Sequence, residues 1–371
     1  MKFQRYGAVA GVAVAAALAL SACGSDNNST SSNSTASSGS TGSSASSCPS
    51  GTLNAAGSTA QANAISQFTK DYQTKCSGVT VNYNADGSGA GVTAFIQKQA
   101  DFAGSDYALS STQATQVKTA GRCGTGSAVD IPAVGGAIAV IYNIPGVTTA
   151  LNLSAKNLSA IFDGTITTWN DAAIAKDNPG VTLPSTKIQP FYRSDTSGTS
   201  YNFSNYLNNL GGFAAANKQW PGKAGQGAKG SSAVAAKVKS TPGAIGYAEY
   251  SYATQDNLTY ANVSNAAGSF IKLTQANASN FLAQAKVAQT GEDTKLTFNY
   301  QYSNADAYPN TLVTYEIACG TGNDSSALPL IKGFLNYVVS NTAQSELTGL
   351  GYVALPASVQ STDASVINSL S

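Results

Sequence analysis

The sequence predicts an α/β protein, and three similar stretches of the chain are the basis for that prediction. In each stretch an apolar or alternating strand leads into a loop of glycine and hydroxyl residues, and a helix with one apolar face follows. These stretches begin near residues 53, 79 and 186. About 320 residues remain after a low-complexity N-terminal region, which is enough chain for two domains of ordinary size.

Residues 1–22 have the order of an export signal. Lys2 and Arg5 precede an apolar run over residues 6–20, and small residues then lead to Cys23. This segment resembles the lipobox of bacterial lipoproteins, which implies cleavage before Cys23 and attachment of a lipid to its sulfur. An ordinary signal peptide with a chance cysteine is the alternative. A transmembrane helix is disfavoured because the run falls short of the ~20 apolar residues that cross a bilayer.

Residues 25–47 are almost entirely Ser, Thr, Asn, Gly and Ala. No side chain there is large and apolar enough to build a core, so we expect a disordered, lipid-anchored linker over residues 23–49. As a flexible coil it would hold the folded part roughly 25 Å from the lipid. Low-complexity filler in an exported protein is the alternative interpretation.

Composition limits the possible functions. Charged residues make up 11% of the chain and the formal net charge is +1. The chain therefore lacks the excess of positive charge that nucleic-acid binding needs. In an exported protein, an even number of cysteines besides the one in the lipobox predicts two disulfides, and their three possible pairings stay open. The candidates are Cys48, Cys76, Cys123 and Cys319.

The chain contains no histidine. A Ser-His-Asp or Cys-His relay and a His-ligated metal are therefore excluded, and the long spacings between the cysteines disfavour zinc. Any enzyme would need Lys, Asp or Glu as its base, and no spacing of carboxylates indicates such a pair. We therefore expect no catalytic residue, no cofactor and no metal.

Two glycine-rich loops in the first half of the chain are candidate sites for an anion. The first, residues 54–61, contains Thr59, and the second, residues 86–92, follows the alternating strand 79–83 and contains Ser88. Glycines let backbone N–H groups approach a ligand closely. Each loop alone is a weak signal, since such turns are common between strands and helices, and neither contains the lysine of a nucleotide-binding loop.

Asp106 ends a short apolar run and is a third candidate, although an ionised carboxylate beside an anion needs an explanation. A protonated anion supplies one, because hydrogen phosphate can donate a hydrogen bond to a carboxylate whereas sulfate has no proton to give. In a desolvated site the facing acceptors would cost several kcal/mol, roughly a thousandfold in affinity. The alternative is that Asp106 caps a helix N-terminus.

The loop at residues 192–200 is the most informative, because it lies between a predicted strand, residues 186–192, and an amphipathic helix. It combines one cation with an acid, hydroxyls and a glycine: Arg193, Asp195, Ser197, Gly198 and Thr199. At a helix N-terminus the first N–H groups lack partners and the dipole favours negative charge, so a tetrahedral anion can gather several donors. Arg193 would add a bidentate contact. The alternative is that Ser197 or Thr199 only caps the helix.

These loops occur together in the phosphate-binding proteins of bacterial ABC phosphate transporters, the PstS family, which this sequence resembles from residue 52 to about residue 356. The site motifs that carry the resemblance lie at residues 56–59, 87–92, 105–110 and 193–200. Further matches lie at residues 135–136, 143–146, 161–162, 169–170, 173–180 and 242–250. So many ordered matches identify the chain as a member of the family.

The resemblance implies the ligand contacts residue by residue. In this sequence they fall on Thr59, the backbone of Ala60, Ser88, Asp106, Arg193, Ser197, Gly198 and Thr199. Asp195 is expected to orient Arg193 and to face the ligand. Some positions depart from the family pattern: Ala60 stands where many relatives have phenylalanine, and Asp86 and Ala90 interrupt a loop that is commonly glycine and serine.

The resemblance also implies the fold, a two-lobe periplasmic-binding-protein fold (type II) with the ligand in the cleft between lobes joined by a two-segment hinge. We expect the first lobe at residues 50–131 plus 305–371 and the second at residues 132–304. The implied function is capture of inorganic phosphate outside the membrane, without catalysis, and its delivery to the permease subunits of an ABC transporter. The implied carrier is a monomer held at the outer face of the cell membrane by its lipid.

Two other functions stay open. One is a binder or sensor of a related oxyanion such as phosphite or arsenate, since arsenate is nearly isosteric with phosphate and also protonated. The other is a phosphate-ester hydrolase built on the same loops. The absence of histidine, and serines with no base near them except aspartates, count against the hydrolase.

Overall fold

The computed structural model describes residues 48–290 and 293–371. In chain order its strands are β1 (Gly51–Gly57), β2 (Val79–Asn84), β3 (Phe102–Ser105), β4 (Ala128–Asn143), β5 (Asn152–Leu153), β6 (Gln189–Arg193), β7 (Gln226–Ala228), β8 (Ala244–Glu249), β9 (Thr259–Tyr260), β10 (Asn262–Ser264), β11 (Phe270–Ile271), β12 (Lys286–Thr290), β13 (Asp293–Thr297) and β14 (Thr311–Cys319). Its α-helices are α1 (Ala62–Lys75), α2 (Ser88–Ile96), α3 (Ser111–Thr119), α4 (Ala155–Phe162), α5 (Ala172–Asp177), α6 (Gly198–Gly211), α7 (Ser231–Ser240), α8 (Tyr250–Gln255), α9 (Gln275–Ala283), α10 (Leu328–Val338), α11 (Asn341–Glu346) and α12 (Ala357–Ser369). The predicted export signal, Cys23 and the linker up to residue 47 lie outside the described residues.

The main sheet is mixed and has the order β2-β1-β3-β14-β4-β8-β6-β7, with β9 also paired to β4. Strand β4 joins its two parts, because residues 128–137 pair with β14 and residues 138–143 pair with β8. We call the part with β1, β2, β3 and β14 the first lobe, and the part with β6, β7 and β8 the second lobe. Within each lobe these strands are parallel, apart from β14. Each lobe therefore presents a row of strand carboxyl ends, where α/β proteins place their ligand loops.

The core of each lobe is formed by a buried strand face and the helices that cover it. Strand β4 is buried from residue 129 to residue 142, as expected of a strand covered on both faces. The predicted apolar helix faces are buried against these cores: Ile65, Phe68 and Tyr72 in α1, and Phe203, Tyr206 and Leu207 in α6. Packing of these faces sets the direction of α1 and α6, and so aims their N-termini.

All three predicted strand–loop–helix units are present, as β1–α1, β2–α2 and β6–α6. The strand predicted from residue 186 begins at Gln189 instead. Lys187 forms an isolated bridge with Thr168, and the Ile188 N–H donates to the Thr167 carbonyl at 2.8 Å. Because these residues bond to a neighbouring loop, pairing with β8 starts only at Gln189.

The four predicted cysteines form two disulfides, Cys48–Cys76 and Cys123–Cys319. The first ties the start of the described chain to the end of α1, and the second ties the turn after α3 to the last residue of β14. No group of three or more His, Cys, Asp or Glu side chains suited to a metal occurs within residues 48–290 and 293–371. None of the helices over the same residues has the length and apolar character needed to cross a bilayer.

Candidate anion-binding site

The predicted site residues come together in one cleft, between the carboxyl ends of the strands of the two lobes. The first lobe contributes Thr59 after β1, Ser88 at the start of α2 and Asp106 after β3. The second lobe contributes Arg193 at the end of β6 and Thr199 in the first turn of α6. All five residues are buried, and Thr59 is the most exposed of them at 7%. The cleft therefore holds its polar groups away from bulk water.

Arg193 is held in one orientation by Asp195. Its Nε donates to Asp195 Oδ1 at 2.8 Å and its Nη2 donates to Oδ2, which makes a bidentate ion pair. The Gly230 N–H donates to the same Oδ1 at 3.1 Å. Burial alone would raise the pKa of Asp195, but its hydrogen bonds with Arg193 and the guanidinium charge outweigh burial and hold the pKa below its usual value. The pair therefore stays ionised.

The remaining guanidinium nitrogen, Arg193 Nη1, donates to two hydroxyl oxygens of the cleft. These are Thr199 Oγ1 at 3.2 Å and Ser231 Oγ at 3.0 Å. Thr199 Oγ1 in turn donates to Glu249 Oε1 at 2.6 Å. Ser231 Oγ lies 3.1 Å from Thr59 Oγ1, which belongs to the other lobe. The cation is thus the centre of a polar network that crosses the cleft.

Both carboxylate oxygens of Asp106 accept hydrogen bonds from serines of the first lobe. Ser58 Oγ donates to Oδ1, and Ser88 Oγ donates to Oδ2 at 3.1 Å. Burial and then the charge of Glu249 raise the pKa of Asp106 to about 7, against the opposing effects of the two serines and of Arg193. Near neutral pH this carboxyl group can therefore either hold or release a proton.

The sequence left open that helix capping alone explains Ser197 and Asp106. Ser197 does cap α6, because its Oγ accepts from the Ser200 N–H at 3.2 Å. Asp106 caps no helix, since α3 is capped by Ser110, whose side chain accepts from the Gln113 N–H. Capping leaves the other first-turn N–H groups of α6 without intrahelical partners. The start of α6 therefore keeps donors for an anion.

The two lobes touch directly at the start of α6. A Cβ on Gly198 would lie 2.4 Å from Asp106 Cβ, so a larger residue cannot occupy this position without movement. One turn further on, Asn202 Nδ2 donates to the Asp106 carbonyl oxygen at 2.7 Å. The Gly89 N–H donates to the Thr196 carbonyl at 3.0 Å, again across the cleft. These contacts show the cleft in a closed arrangement.

The sequence did not predict four residues that contact the site residues: Ser58, Ser231, Tyr247 and Glu249. Tyr247 Oη accepts from the Arg193 N–H at 3.1 Å. Ser58 could have been predicted, since it lies beside Thr59 in the motif at residues 56–59. Glu249 also lies in a matched motif, and its Oε2 has no hydrogen-bond partner among the described residues. For Ser231 the available signal was the preceding Gly230, whose φ of 82° lets α7 start there. The N–H of Ala60, an expected ligand contact, donates to Ser58 Oγ at 2.9 Å.

The fold places the chain in a known class of binding proteins. Residues 42–342 match the model of a PBP superfamily domain. The structure of PfluDING, a high-affinity periplasmic phosphate-binding protein solved with bound phosphate, matches with a TM-score of 0.69 and 23% sequence identity, over 84% of this chain and 92% of that one. Fold and cleft together define a two-lobe binding protein.

Two relatives narrow the class to a family. Phosphate-binding protein PstS 3 of Mycobacterium tuberculosis (strain ATCC 25618 / H37Rv) is 39% identical over 376 residues, which cover 100% of both chains. Phosphate-binding protein PstS 2 of the same strain is 38% identical over 377 residues, again 100% of both chains. This chain therefore belongs to the PBP superfamily and, within it, to the PstS family. The resemblance drawn from the motifs is confirmed, and so is the predicted two-lobe α/β fold.

Proposed function

We propose that this protein captures inorganic phosphate outside the membrane and delivers it to the permease of an ABC transporter, without catalysing a reaction. The observation that carries the proposal is a buried carboxyl group, Asp106, in the same closed cleft as a fixed cation, Arg193. Both relatives described above are named phosphate-binding proteins. A cleft of this kind suits an anion that carries a proton.

The chemistry of selection follows from the protons. Arg193 and the N–H groups at the start of α6 attract any tetrahedral anion. Asp106, with its charge, then repels an anion that has no hydrogen to donate, and accepts a hydrogen bond from one that does. Hydrogen phosphate has such a hydrogen at neutral pH and sulfate has none. Leaving two acceptors face to face in a buried site costs several kcal/mol, roughly a thousandfold in affinity.

We assign the phosphate contacts to the residues expected from the sequence: Thr59, Ala60, Ser88, Asp106, Arg193, Asp195, Ser197, Gly198 and Thr199. Hydroxyl and N–H groups of this set donate to the anion, Asp106 accepts from it, and Asp195 orients Arg193. The Ala60 N–H would be shared between Ser58 Oγ and the anion. All of them except Asp195 are buried, and this burial and the contacts among them support the assignment.

Closure of the cleft is the step that a transporter can recognise. With lobes at residues 50–131 plus 305–371 and at residues 132–304, donors from both sides would meet only in the closed form. An anion bound between them then shifts the population toward closure. The contacts of Gly89 with Thr196 and of Asn202 with Asp106 support this, because they join the lobes directly.

The proposed location is the outer face of the cell membrane, with the chain attached as a monomer through a lipid on Cys23. The order of charges and apolar residues at the N-terminus supports export. The two disulfides support an oxidising compartment outside the cytoplasm. A Ser-rich linker would give the folded part room to reach its permease.

The test is calorimetric titration of the phosphate-stripped chain from residue 24 onward, which retains Cys48 and its disulfide. Phosphate, sulfate and arsenate are titrated in turn at pH 9, where the Asp106 carboxyl group is ionised. We expect tight phosphate binding and little or no sulfate binding. A protein that binds neither phosphate nor arsenate, or that binds sulfate as tightly as phosphate, would refute the proposal. Release of phosphate from p-nitrophenyl phosphate, assayed on the same sample, would contradict the absence of catalysis.

A further inference from the structure

Ser231 contacts site residues on both sides of the cleft, although no sequence motif assigned it a role. It is the first residue of α7 and is fully buried. Within the second lobe, Arg193 Nη1 donates to Ser231 Oγ at 3.0 Å. From the first lobe, Thr59 Oγ1 lies 3.1 Å from the same Oγ and accepts from the Ser231 N–H at 3.3 Å. Ser231 therefore links the cation to a hydroxyl of the opposite lobe.

The guanidinium and the backbone N–H fix the direction of their own hydrogen bonds, and we assign the direction between the Ser231 and Thr59 hydroxyls, either of which could donate, from the charge of Arg193. A guanidinium group only donates, so Ser231 Oγ accepts from Arg193 Nη1. An oxygen that accepts from a cation has a more strongly polarised O–H, which makes Ser231 the better donor toward Thr59. Thr59 Oγ1 then accepts from both the N–H and the O–H of Ser231. The hydrogen of Thr59 itself is left for a partner in the cleft.

The other hydroxyl that accepts from Arg193 is that of Thr199, and it donates its hydrogen to the protein. Thr199 Oγ1 accepts from Nη1 and donates to Glu249 Oε1 at 2.6 Å. Its hydrogen is therefore used by a carboxylate of the protein, and Thr199 offers an anion its backbone N–H at the start of α6. The series of hydrogen bonds from Arg193 through Ser231 to Thr59 instead leaves the Thr59 hydroxyl hydrogen available to the ligand.

We propose that Ser231 is a positioning residue of the anion site, which relays the polarity of Arg193 to Thr59 and aims the Thr59 hydrogen at the bound anion. This inference rests on the proposed capture of phosphate and adds to it a residue outside the expected contacts. Because Thr59 and Ser231 belong to different lobes, the relay forms only as the cleft closes. Closure of the cleft therefore also makes the Thr59 hydroxyl a stronger hydrogen-bond donor toward the anion.

The test compares phosphate affinities by calorimetry, using the phosphate-stripped chain from residue 24 onward. The variants are Ser231→Ala, Thr59→Val and the two combined, and the matched control is Ser240→Ala. Ser240 is at the far end of the same helix, is exposed, and donates to the Ala236 carbonyl at 2.9 Å. We expect Ser231→Ala to weaken phosphate binding about tenfold, the effect of one lost hydrogen bond to a charged network. The control should bind as the unsubstituted chain does.

The double variant separates a relay from a general structural effect. If Ser231 acts through Thr59, the double variant should bind within about threefold of Thr59→Val alone. Unchanged binding by Ser231→Ala, or losses that multiply in the double variant, would refute the inference. Ser231→Gly removes the same hydroxyl where a helix start tolerates glycine, and it gives the answer should the alanine variant not fold. If the unsubstituted chain binds no phosphate, the proposed function itself fails, and that result is distinct from a failure of the relay alone.

Discussion

Replacing Asp106 by asparagine should convert the cleft from one that rejects sulfate to one that accepts it. The substitution removes a negative charge and keeps the shape of the side chain. In the unsubstituted protein, a sulfate oxygen beside the carboxylate meets a like charge, and two unit charges 4 Å apart interact with about 4 kcal/mol at an effective dielectric constant of 20. That energy corresponds to roughly a thousandfold in affinity for a carboxyl group that stays fully ionised. In the Asp106→Asn variant, the side-chain amide would instead donate a hydrogen bond to sulfate.

The serines that contact Asp106 can adapt to this change. Ser58 and Ser88 both donate to the carboxylate, and a hydroxyl can rotate to accept from an amide N–H instead. The fold should therefore survive. With a pKa of about 7, roughly one Asp106 carboxyl group in ten still holds its proton at pH 8 and can donate to sulfate. We therefore expect sulfate affinity at pH 8 to rise by about tenfold in the variant, while phosphate affinity falls by less. Calorimetric titration of both variants with both anions at pH 8 measures this. Sulfate affinity that stays unchanged in Asp106→Asn would refute the proton-reading role of the carboxyl group.

The pH dependence provides a second arm of the same experiment. Burial, followed by the charge of Glu249, raises the pKa of Asp106 to about 7. Below that pH the group is protonated and can donate to sulfate. Sulfate affinity of the unsubstituted chain should therefore rise as the pH falls from 8 to 5, and Asp106→Asn should lose this dependence. A parallel rise in both proteins would place the titrating group elsewhere.

Three further predictions concern closure, the disulfides and stability. Gly198→Ala should weaken phosphate binding at least tenfold while leaving the fold intact by circular dichroism, because the new methyl group would press on the opposite lobe as the cleft closes; unchanged affinity would argue against the closed form. The disulfide of Cys123 spans 196 residues and that of Cys48 spans 28. A longer closed loop restricts the unfolded chain more, so removing the Cys123 disulfide should lower the free energy of unfolding, measured with urea, by about 2 kcal/mol more than removing the Cys48 disulfide. Equal losses would contradict this argument from chain entropy. Burial raises the pKa of Glu316 and of Asp363 to about 8 in each case, so the stability these groups contribute is fully present below about pH 4 and is lost as the pH rises through 8. The free energy of unfolding of the phosphate-free chain, measured with urea, should therefore fall from pH 5 to pH 8 by on the order of 1 kcal/mol or more per group. A free energy of unfolding that rises over this range would show that both groups are ionised in the fold.

The features that could be predicted from the sequence are those with a local cause. Helix faces such as Ile65 and Phe68 repeat with the helical period, and the loop around Arg193 combines its charge, hydroxyls and glycine within a few residues. The resemblance then supplied the order of the lobes, which no local pattern contains. The strand boundary at Gln189 was three residues off because a neighbouring loop competes for the preceding backbone groups.

The features that could not be predicted depend on contacts between distant parts of the chain. The disulfide partner of Cys123 is 196 residues away, and no spacing rule selects it. Ser231 enters the cleft because α7 packs on the second lobe, and its role becomes visible only once Thr59 lies opposite. Glu249 affects the pKa of Asp106 through space. Such effects arise from the folded geometry, and the pattern of neighbouring residues does not contain them.

The change of partner along β4 also determines how the protein can move. One unbroken strand pairs with β14 up to Ala137 and with β8 from Ile138 onward, so sliding the lobes apart would break a ladder of backbone hydrogen bonds. Rotation of one lobe about the point between Ala137 and Ile138 avoids that cost. In such a rotation, atoms beside the pivot move little and atoms at the open side of the cleft move far. Glu249 pairs with Ile138 at the pivot itself. We therefore expect the charges beside the pivot, such as that of Glu249, to stay in place as the cleft opens and closes. The parts of the lobes far from the pivot move most, and their separation controls when an anion enters or leaves.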